Sequence, residues 1–411
     1  GGGAKGSFQY GVWQALRKVK YDYGLVVGSS VGALNMIQMV QNSFFTSAKL
    51  WQQLDLLQIF KVSAELKSEY DQASSELDQF KLLFKQAIKE REIDISPFKE
   101  LLNREINIKK IKKSKITGIL TVLEVPAMKG HEIVINDLAC ELVIDYLIAS
   151  CSAVPAFPPH KINDKSYIDG GFFDNLPIQS AIDYGATEII AVDLDFLGNK
   201  RKYDEQQAQV HIINSNWDLG GFLDFDPLVA KRNIKLGYLA TLRYFEKQRG
   251  FSYSFNKRSR KLQGYSDKFN IVCQKIMERT NTNITFSAEN NLKFTINNRH
   301  QKKSDHFLRV LEFIMETNNY DPTIVYNIDK VIRDLEKKYL TIDLMNVEIL
   351  ALINNIIHQD DKNNEDFEKF VLALLKMIET NNFNGFSTLA NFTSESALMA
   401  IFLSLLRAKG K

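Results

Sequence analysis

A serine that follows an apolar run and opens a helical one constrains this chain more than any other feature. The segment is Gly28-Ser29-Ser30-Val31-Gly32, a G-x-S-x-G set between Leu25-Val26-Val27 and a helical run over 33–40. A serine in that context sits on a sharp strand-to-helix turn, whose strain calls for small neighbours and which lifts the hydroxyl above the sheet. The helix start also brings backbone amides and a positive dipole end to where negative charge would develop. The plainer alternative is a glycine-rich turn with a capping serine. The strand and helix flanks weigh against it.

The surrounding pattern agrees with an α/β fold. From 1 to about 245, short apolar β-rich runs alternate with helical stretches, as βαβ units of a mostly parallel sheet do. Strands are expected at 23–27, 116–124, 132–135 and 188–193. Helices are expected at 8–20, 32–40, 138–151 and 178–184, with a long charged-and-apolar helical insertion at 45–92. Beyond 245 a polar stretch rich in Lys, Arg and Asn leads into helical segments at 305–316, 322–339, 344–358 and 365–379. Asp321-Pro322 reads as a helix start, since Asp can cap free amides and Pro suits the first turn. The expected organisation is a three-layer α/β/α domain over 1–245, followed by a mainly helical accessory region over 246–411.

Composition narrows the function classes. The 411 residues allow two or three domains, and 52 Lys+Arg against 49 Asp+Glu leave a net charge of +3. That balance is too even for generalised phosphate binding, so no nucleic-acid partner is expected. Cys140, Cys151 and Cys273 follow no C-x-x-C spacing and cannot all pair, which excludes a disulfide framework and argues against a thiolate metal site. A reducing, cytoplasmic compartment fits, with no metal or cofactor. The apolar run over 397–406 is about half of the ~20 residues that a spanning helix needs. The chain starts on Gly rather than Met with no signal-like stretch, which reads as a trimmed or processed chain.

Two further segments carry chemistry. Gly1-Gly2-Gly3-Ala4-Lys5-Gly6 precedes an amphipathic stretch, and consecutive glycines let backbone N–H groups approach a ligand oxygen closely, which suits an oxyanion hole. The same residues satisfy G-x-G-x-x-G, so nucleotide binding is a rival reading. That motif should follow a strand, and its acidic residue would have to be Asp22. Tyr167-Ile168-Asp169-Gly170-Gly171 follows a proline-rich stretch; an Asp before two glycines is usually a turn, but its carboxylate can face a site with little bulk around it. Asp164 and Asp174 lie close by, and spacing does not rank the three.

In this order the three segments resemble the patatin-like phospholipases, which show G-G-G-x-K/R-G, then G-x-S-x-G, then D-G-G or D-G-A far downstream. Ala149-Ser150 before the Pro155 loop, Asn175-Leu176-Pro177 and Gly185-Ala186 look like the family too. The resemblance covers about 1–245. It implies a patatin-like α/β/α fold in which Ser30 is the nucleophile and Asp169 its base, with Gly1, Gly2 and Gly3 as the oxyanion loop. Gly28, Gly32, Gly170 and Gly171 are the supporting motif positions. It implies hydrolysis of phospholipid or related acyl esters through an acyl-serine, with no histidine. The strand that supports the glycine loop in the family is not present before Gly1. A Ser-Asp-His order would need a later histidine, and His211 is the nearest candidate. The rival from another class is a catalytically silent lipid-binding or scaffold protein. Intact Ser30, Asp169 and glycine loop speak against it.

Two basic runs could meet anionic headgroups at a membrane periphery: Lys109, Lys110, Lys112, Lys113 and Lys115, and Lys257, Arg258, Arg260 and Lys261 beside Phe251, Tyr253 and Phe255. The alternative is a solvated face. Asn283-Ile284-Thr285 and Asn391-Phe392-Thr393 match the glycosylation pattern and are given no role.

Overall fold

The computed structural model describes residues 1–73, 78–79, 81–82, 85, 94–257, 259, 261–280, 303–344, 364–390 and 394–408. The chain divides into two compact units, Gly1–Phe245 and Glu246–Lys411.

In the first unit a short 3-10 turn (Gly3–Lys5) leads into α1 (Gly6–Val19), β1 (Leu25–Gly28), α2 (Val31–Val40) and α3 (Phe44–Gln53). Then come α4 (Lys67–Gln72), α5 (Ser96–Glu105), α6 (Ile108–Lys112), β2 (Thr117–Val125), β3 (Lys129–Val134) and α7 (Leu142–Ser150). The unit closes with β4 (His160–Ile162), β5 (Lys165–Asp169), α8 (Gly171–Asp174), α9 (Ile178–Asp183), β6 (Glu188–Asp193), β7 (Gln209–Asn214) and α10 (Pro227–Tyr244).

The sheet is mixed. In the five-stranded sheet β1 pairs with β2 in parallel, while β2–β3, β2–β5 and β4–β5 are antiparallel; β6 and β7 form a separate parallel pair. This corrects the expectation of a mostly parallel sheet. The reason is local: the tight turns at Met128 and Asn163, both with positive φ, return the chain as hairpins where crossovers were expected. β4, β5 and β7 are strands that the sequence reading did not assign.

The register explains how distant motifs meet. β3 pairs with β2 along 119–124, overlapping both the stretch of β2 that holds β1 and the stretch that holds β5. A strand has two edges, so β1 and β5 must share the other one, end to end. Gly28 is opposite Leu120 and Asp169 opposite Val122, so the exits of β1 and β5 point at each other across Thr121.

The core has two main parts in this unit. Met36, Ile37 and Val40 of α2, Leu120 and Val122 of β2, and Leu147 of α7 belong to one buried cluster. Phe8, Val12 and Leu16 of α1 pack on Leu236 and Ala240 of α10 with Leu194 and Ile213 in another. At ~25 cal/mol per Å² of buried apolar surface, such clusters supply the main driving force for folding. The long helical insertion is broken into α3, a 3-10 turn at Leu56–Gln58 and α4 in its described part, with Asp55 capping the turn through the Gln58 amide. Residues 74–77, 80, 83–84 and 86–92 of that expectation lie outside the described residues.

The described elements of the second unit are helices Leu262–Thr280, Lys303–Thr317, Ile328–Leu340, Asn364–Glu379, Phe383–Ala390 and Ser394–Arg407, with the short parallel pair β8 (Ser254–Phe255) and β9 (Val325–Tyr326). Asp321-Pro322 does not start a helix. Asp321 Oδ1 accepts from the Thr323 amide at 2.8 Å and closes a turn, Val325–Tyr326 then pairs as a strand, and Asn327 caps the helix through the Lys330 amide at 3.0 Å. The expected helix at 344–358 is described only at Leu344; Arg258, Arg260, His300, His358 and both glycosylation patterns also lie outside the described residues. Among the described residues no helix is long and apolar enough to cross a membrane.

Candidate active site

Ser30 occupies the bend between β1 and α2 with φ 56° and ψ −129°, a backbone state that costs a non-glycine residue ~1–3 kcal/mol. Its neighbours hold it there. The Ser30 amide donates to Ser150 Oγ at 3.1 Å, the Gly32 amide to the Ser29 carbonyl at 2.9 Å, and the Ala33 amide to the Ser30 carbonyl at 2.8 Å. The bend turns Ser30 outward and Ser29 inward. Ser29 is buried, and its hydroxyl lies 2.6 Å from Thr121 Oγ1 and donates to the Asp174 carbonyl at 2.5 Å.

The two motif glycines differ in what they are for. A Cβ on Gly28 would lie 2.2 Å from the Gly32 carbonyl oxygen, whereas one on Gly32 would meet only Gln9 Nε2 at 3.8 Å. Gly28→Ala is therefore expected to cost about 3 kcal/mol or more, and Gly32→Ala to be neutral or slightly stabilising, as alanine usually is in a helix. Denaturant midpoints of the two variants check this; equal losses would mean that the turn is not built as described.

Asp169 ends β5 and is 4% exposed. Its Oδ1 accepts from the Gly171 amide at 2.6 Å, and a Cβ on Gly170 would sit 2.1 Å from the Thr121 carbonyl oxygen, so only glycine lets the chain turn so tightly there. Burial pushes the Asp169 carboxyl up to about 6, against the opposing pull of the Ser30 hydroxyl and the Gly171 amide, which favour its charged form. Thr121 is where these segments are joined. It touches Ser29 through its hydroxyl and faces Gly170 through its carbonyl.

Ser30 and Asp169 open onto one cleft of about 350 Å³, whose walls include Leu34, Trp51, Phe98, Leu101, Phe157 and Phe225. Gly2 and Gly3 line it too, and Gly2 has φ 137° and Gly3 φ 56°. The Ala4 amide is taken by the Phe222 carbonyl at 2.7 Å. Gly1 is not among the lining residues; its nitrogen donates to the Asn175 carbonyl at 3.0 Å. Val31, the first residue of α2, borders the cleft beside Ser30, so the dipole of a ten-residue helix starts at the serine.

The other candidates go elsewhere. Asp164 is an exposed residue of the β4–β5 turn. Asp174 is fully buried, accepts from the Leu176 and Arg201 amides, and does not line the cleft; burial raises its carboxyl. His211 is buried in β7 with Nδ1 against the Tyr244 hydroxyl, and no described histidine lines the cleft. Sequence reasoning did not single out Thr121, nor Ser150 as the partner of the Ser30 amide.

The fold and site define an α/β protein with a serine on a strand-to-helix turn and a buried carboxyl beside it. A family model described as patatin-like phospholipase matches residues 1–182 of the chain. Over 104 residues the chain is 30% identical to "Lysophospholipase NTE1" of Candida glabrata and to the protein of the same name of Saccharomyces cerevisiae. That stretch is 25% of this chain and 6% of each relative, so the chain spans only a small part of their length. The crystal structure of VipD from Legionella pneumophila aligns with a TM-score of 0.37 at 14% identity, over 99% of this chain and 89% of that one.

Proposed function

We propose that this protein hydrolyses acyl esters of phospholipids, with Ser30 as nucleophile and Asp169 as general base. The observation that carries the reading is the strained Ser30 and the buried Asp169 facing one apolar cleft. In the proposed reaction Asp169 takes the Ser30 proton as Oγ attacks the ester carbonyl, and returns it to the leaving alcohol. Amides of Gly2, Gly3 and Val31 supply donors to the tetrahedral oxyanion, each worth about 3 kcal/mol. Water, deprotonated by the same carboxylate, then releases the acid from the acyl-serine. The apolar walls suit an acyl chain, and the name of the relatives, lysophospholipase, makes a lysophospholipid the first substrate to test. Lysophosphatidylcholine incubated with the protein should yield free fatty acid and glycerophosphocholine by mass spectrometry. Hydrolysis of neither this lipid nor a diacyl phospholipid would favour the silent lipid-binding reading.

The mouth of the cleft supports action at a lipid surface. Leu197 is 88% exposed there, with Phe172 and Val154 beside it on the rim. Leu197→Asp is expected to lower hydrolysis of vesicle lipid several-fold more than hydrolysis of a short-chain soluble ester. An equal effect on both rates would remove the rim from the docking account. The first basic run does not share this rim: Lys109 to Lys115 lie beside Tyr23 and Ile116, where β1 and β2 begin, and Ser30 lies where β1 ends.

A further inference from the structure

At the entry end of β1 and β2 the surface is concave, about 1110 Å³ in volume, and its walls bring together Arg17, Lys20, Lys109, Lys110, Lys113 and Lys115. These cations come from three places: the end of α1, helix α6, and the segment leading into β2. Among the described residues Asp22 is the one carboxylate in that wall. Among the described residues no ion pair holds any of the six, whereas Lys112, on the same run, turns away to the Asn136 and Leu138 carbonyls. Arg17 is fixed in place by Asn42 Oδ1 at 3.2 Å and by the Phe44 ring 4.5 Å from its guanidinium carbon.

Bringing six like charges together costs Coulomb energy that the fold returns only in part. The C-termini of α1 and α2 meet this wall, and their partial charges of about −0.5 each, with Asp22, offset only roughly a third of the positive charge. Two neutral donors complete the wall: the Asn42 amide, and the Tyr23 hydroxyl, which accepts from Trp13 Nε1 at 2.8 Å and so keeps its own proton to give. Among the described residues Val40 and Ile116 are the only aliphatic ones in it, too few to seat the alternating side chains by which extended peptides are recognised.

We infer that this concavity binds a compact anion carrying several phosphate groups, at a site separate from the cleft. Ammonium groups are point charges that match phosphate oxygens from several directions, and a concave wall of them encloses a compact polyanion better than it meets a flat surface. The length of β1, about 13 Å at 3.3 Å per residue, lies between this wall and Ser30. The bound anion therefore does not react. It would anchor the protein or adjust it. The phosphates could belong to a soluble metabolite or to a lipid headgroup, and the two sources are separable.

The test uses the whole chain and two probes, inositol hexakisphosphate in titration calorimetry and phosphatidylcholine vesicles doped with phosphatidic acid in flotation. Wild type should bind inositol hexakisphosphate at one site per chain, more weakly as salt rises over the range where charges are screened within ~10 Å. Lys109→Gln/Lys110→Gln/Lys113→Gln should weaken that binding at least tenfold, with its thermal midpoint and its rate on a soluble ester retained. If the triple variant loses the soluble probe alone, the source is a free metabolite; if it also loses the doped vesicles, and the soluble probe competes with them, the source is a headgroup. Undiminished binding of both probes by the triple variant would overturn the inference, as would failure of wild type to bind either one. So would tight binding of poly-glutamate without binding of inositol hexakisphosphate, since that would make the surface a protein interface.

Discussion

Ser30→Ala is expected to lower ester hydrolysis by at least about 10³ while leaving the fold and its thermal midpoint almost unchanged. The removed hydroxyl lies on the outer side of the bend, and the bonds that keep the bend are made by the Ser30 backbone with Ser150 and Ala33, so they survive the substitution. Ser29→Ala should behave differently. It removes a buried hydroxyl bound to Thr121 and to the Asp174 carbonyl and leaves both partners short of a donor or acceptor, at a cost of about 1–3 kcal/mol. The pair of variants separates chemistry from architecture: Ser30→Ala loses rate without stability, and Ser29→Ala loses stability. Hydrolysis by Ser30→Ala at the wild-type rate would end the proposed assignment.

Asp169→Asn keeps the shape of the side chain and removes its capacity to accept a proton, so turnover should fall by at least about 10². The pH profile of the wild type carries the same information with a definite sign. A base must be deprotonated to act, and burial raises the Asp169 carboxyl to about 6. The rate constant kcat/KM should therefore rise with pH up to about 6 and level off above it, where an unperturbed aspartate would already be ionised well below pH 5. Asp174→Asn and His211→Ala should leave the position of that limb where it is, because neither residue borders the cleft. A His211→Ala variant as inactive as Asp169→Asn would replace the proposed dyad with a histidine-dependent mechanism.

Much of the proposed site could be read along the chain because each of its parts is a local turn. Gly28 to Gly32, Gly1 to Gly3 and Asp169 to Gly171 are each recognisable from residue type and spacing, since strained turns demand glycine where backbones come close. What the sequence did not show is how the turns meet. β5 is five residues long, Lys165–Asp169, and reads as the tail of a proline-rich loop; only its pairing with β2 reveals it as the strand that carries Asp169 to Ser30. The mixed sheet is only partly local in origin: the turn at Met128 folds β3 back on β2, whereas β5 runs antiparallel to β2 through pairing between residues far apart in the chain, which no periodicity in the strands encodes. Thr121 is a polar residue inside an apolar run, TGILTVLEV, and strand pattern alone gives it no task. Its place opposite the gap between β1 and β5 makes it the residue that both turns rest on. The basic run over 109–115 was visible as charge, but its distance from the cleft depends on which end of β1 it lies near, and charge patterning carries no such information.

The most direct test of a reactive Ser30 is the mass of a covalent adduct. The intact protein treated with a fluorophosphonate should gain one phosphonyl group with loss of fluoride, and peptide mapping should place it on Ser30. Neither Ser29 nor any other serine should carry it, and prior denaturation or Asp169→Asn should suppress it. An adduct absent from Ser30, or one that forms at the same rate in Asp169→Asn, would contradict the activated serine on which the account rests.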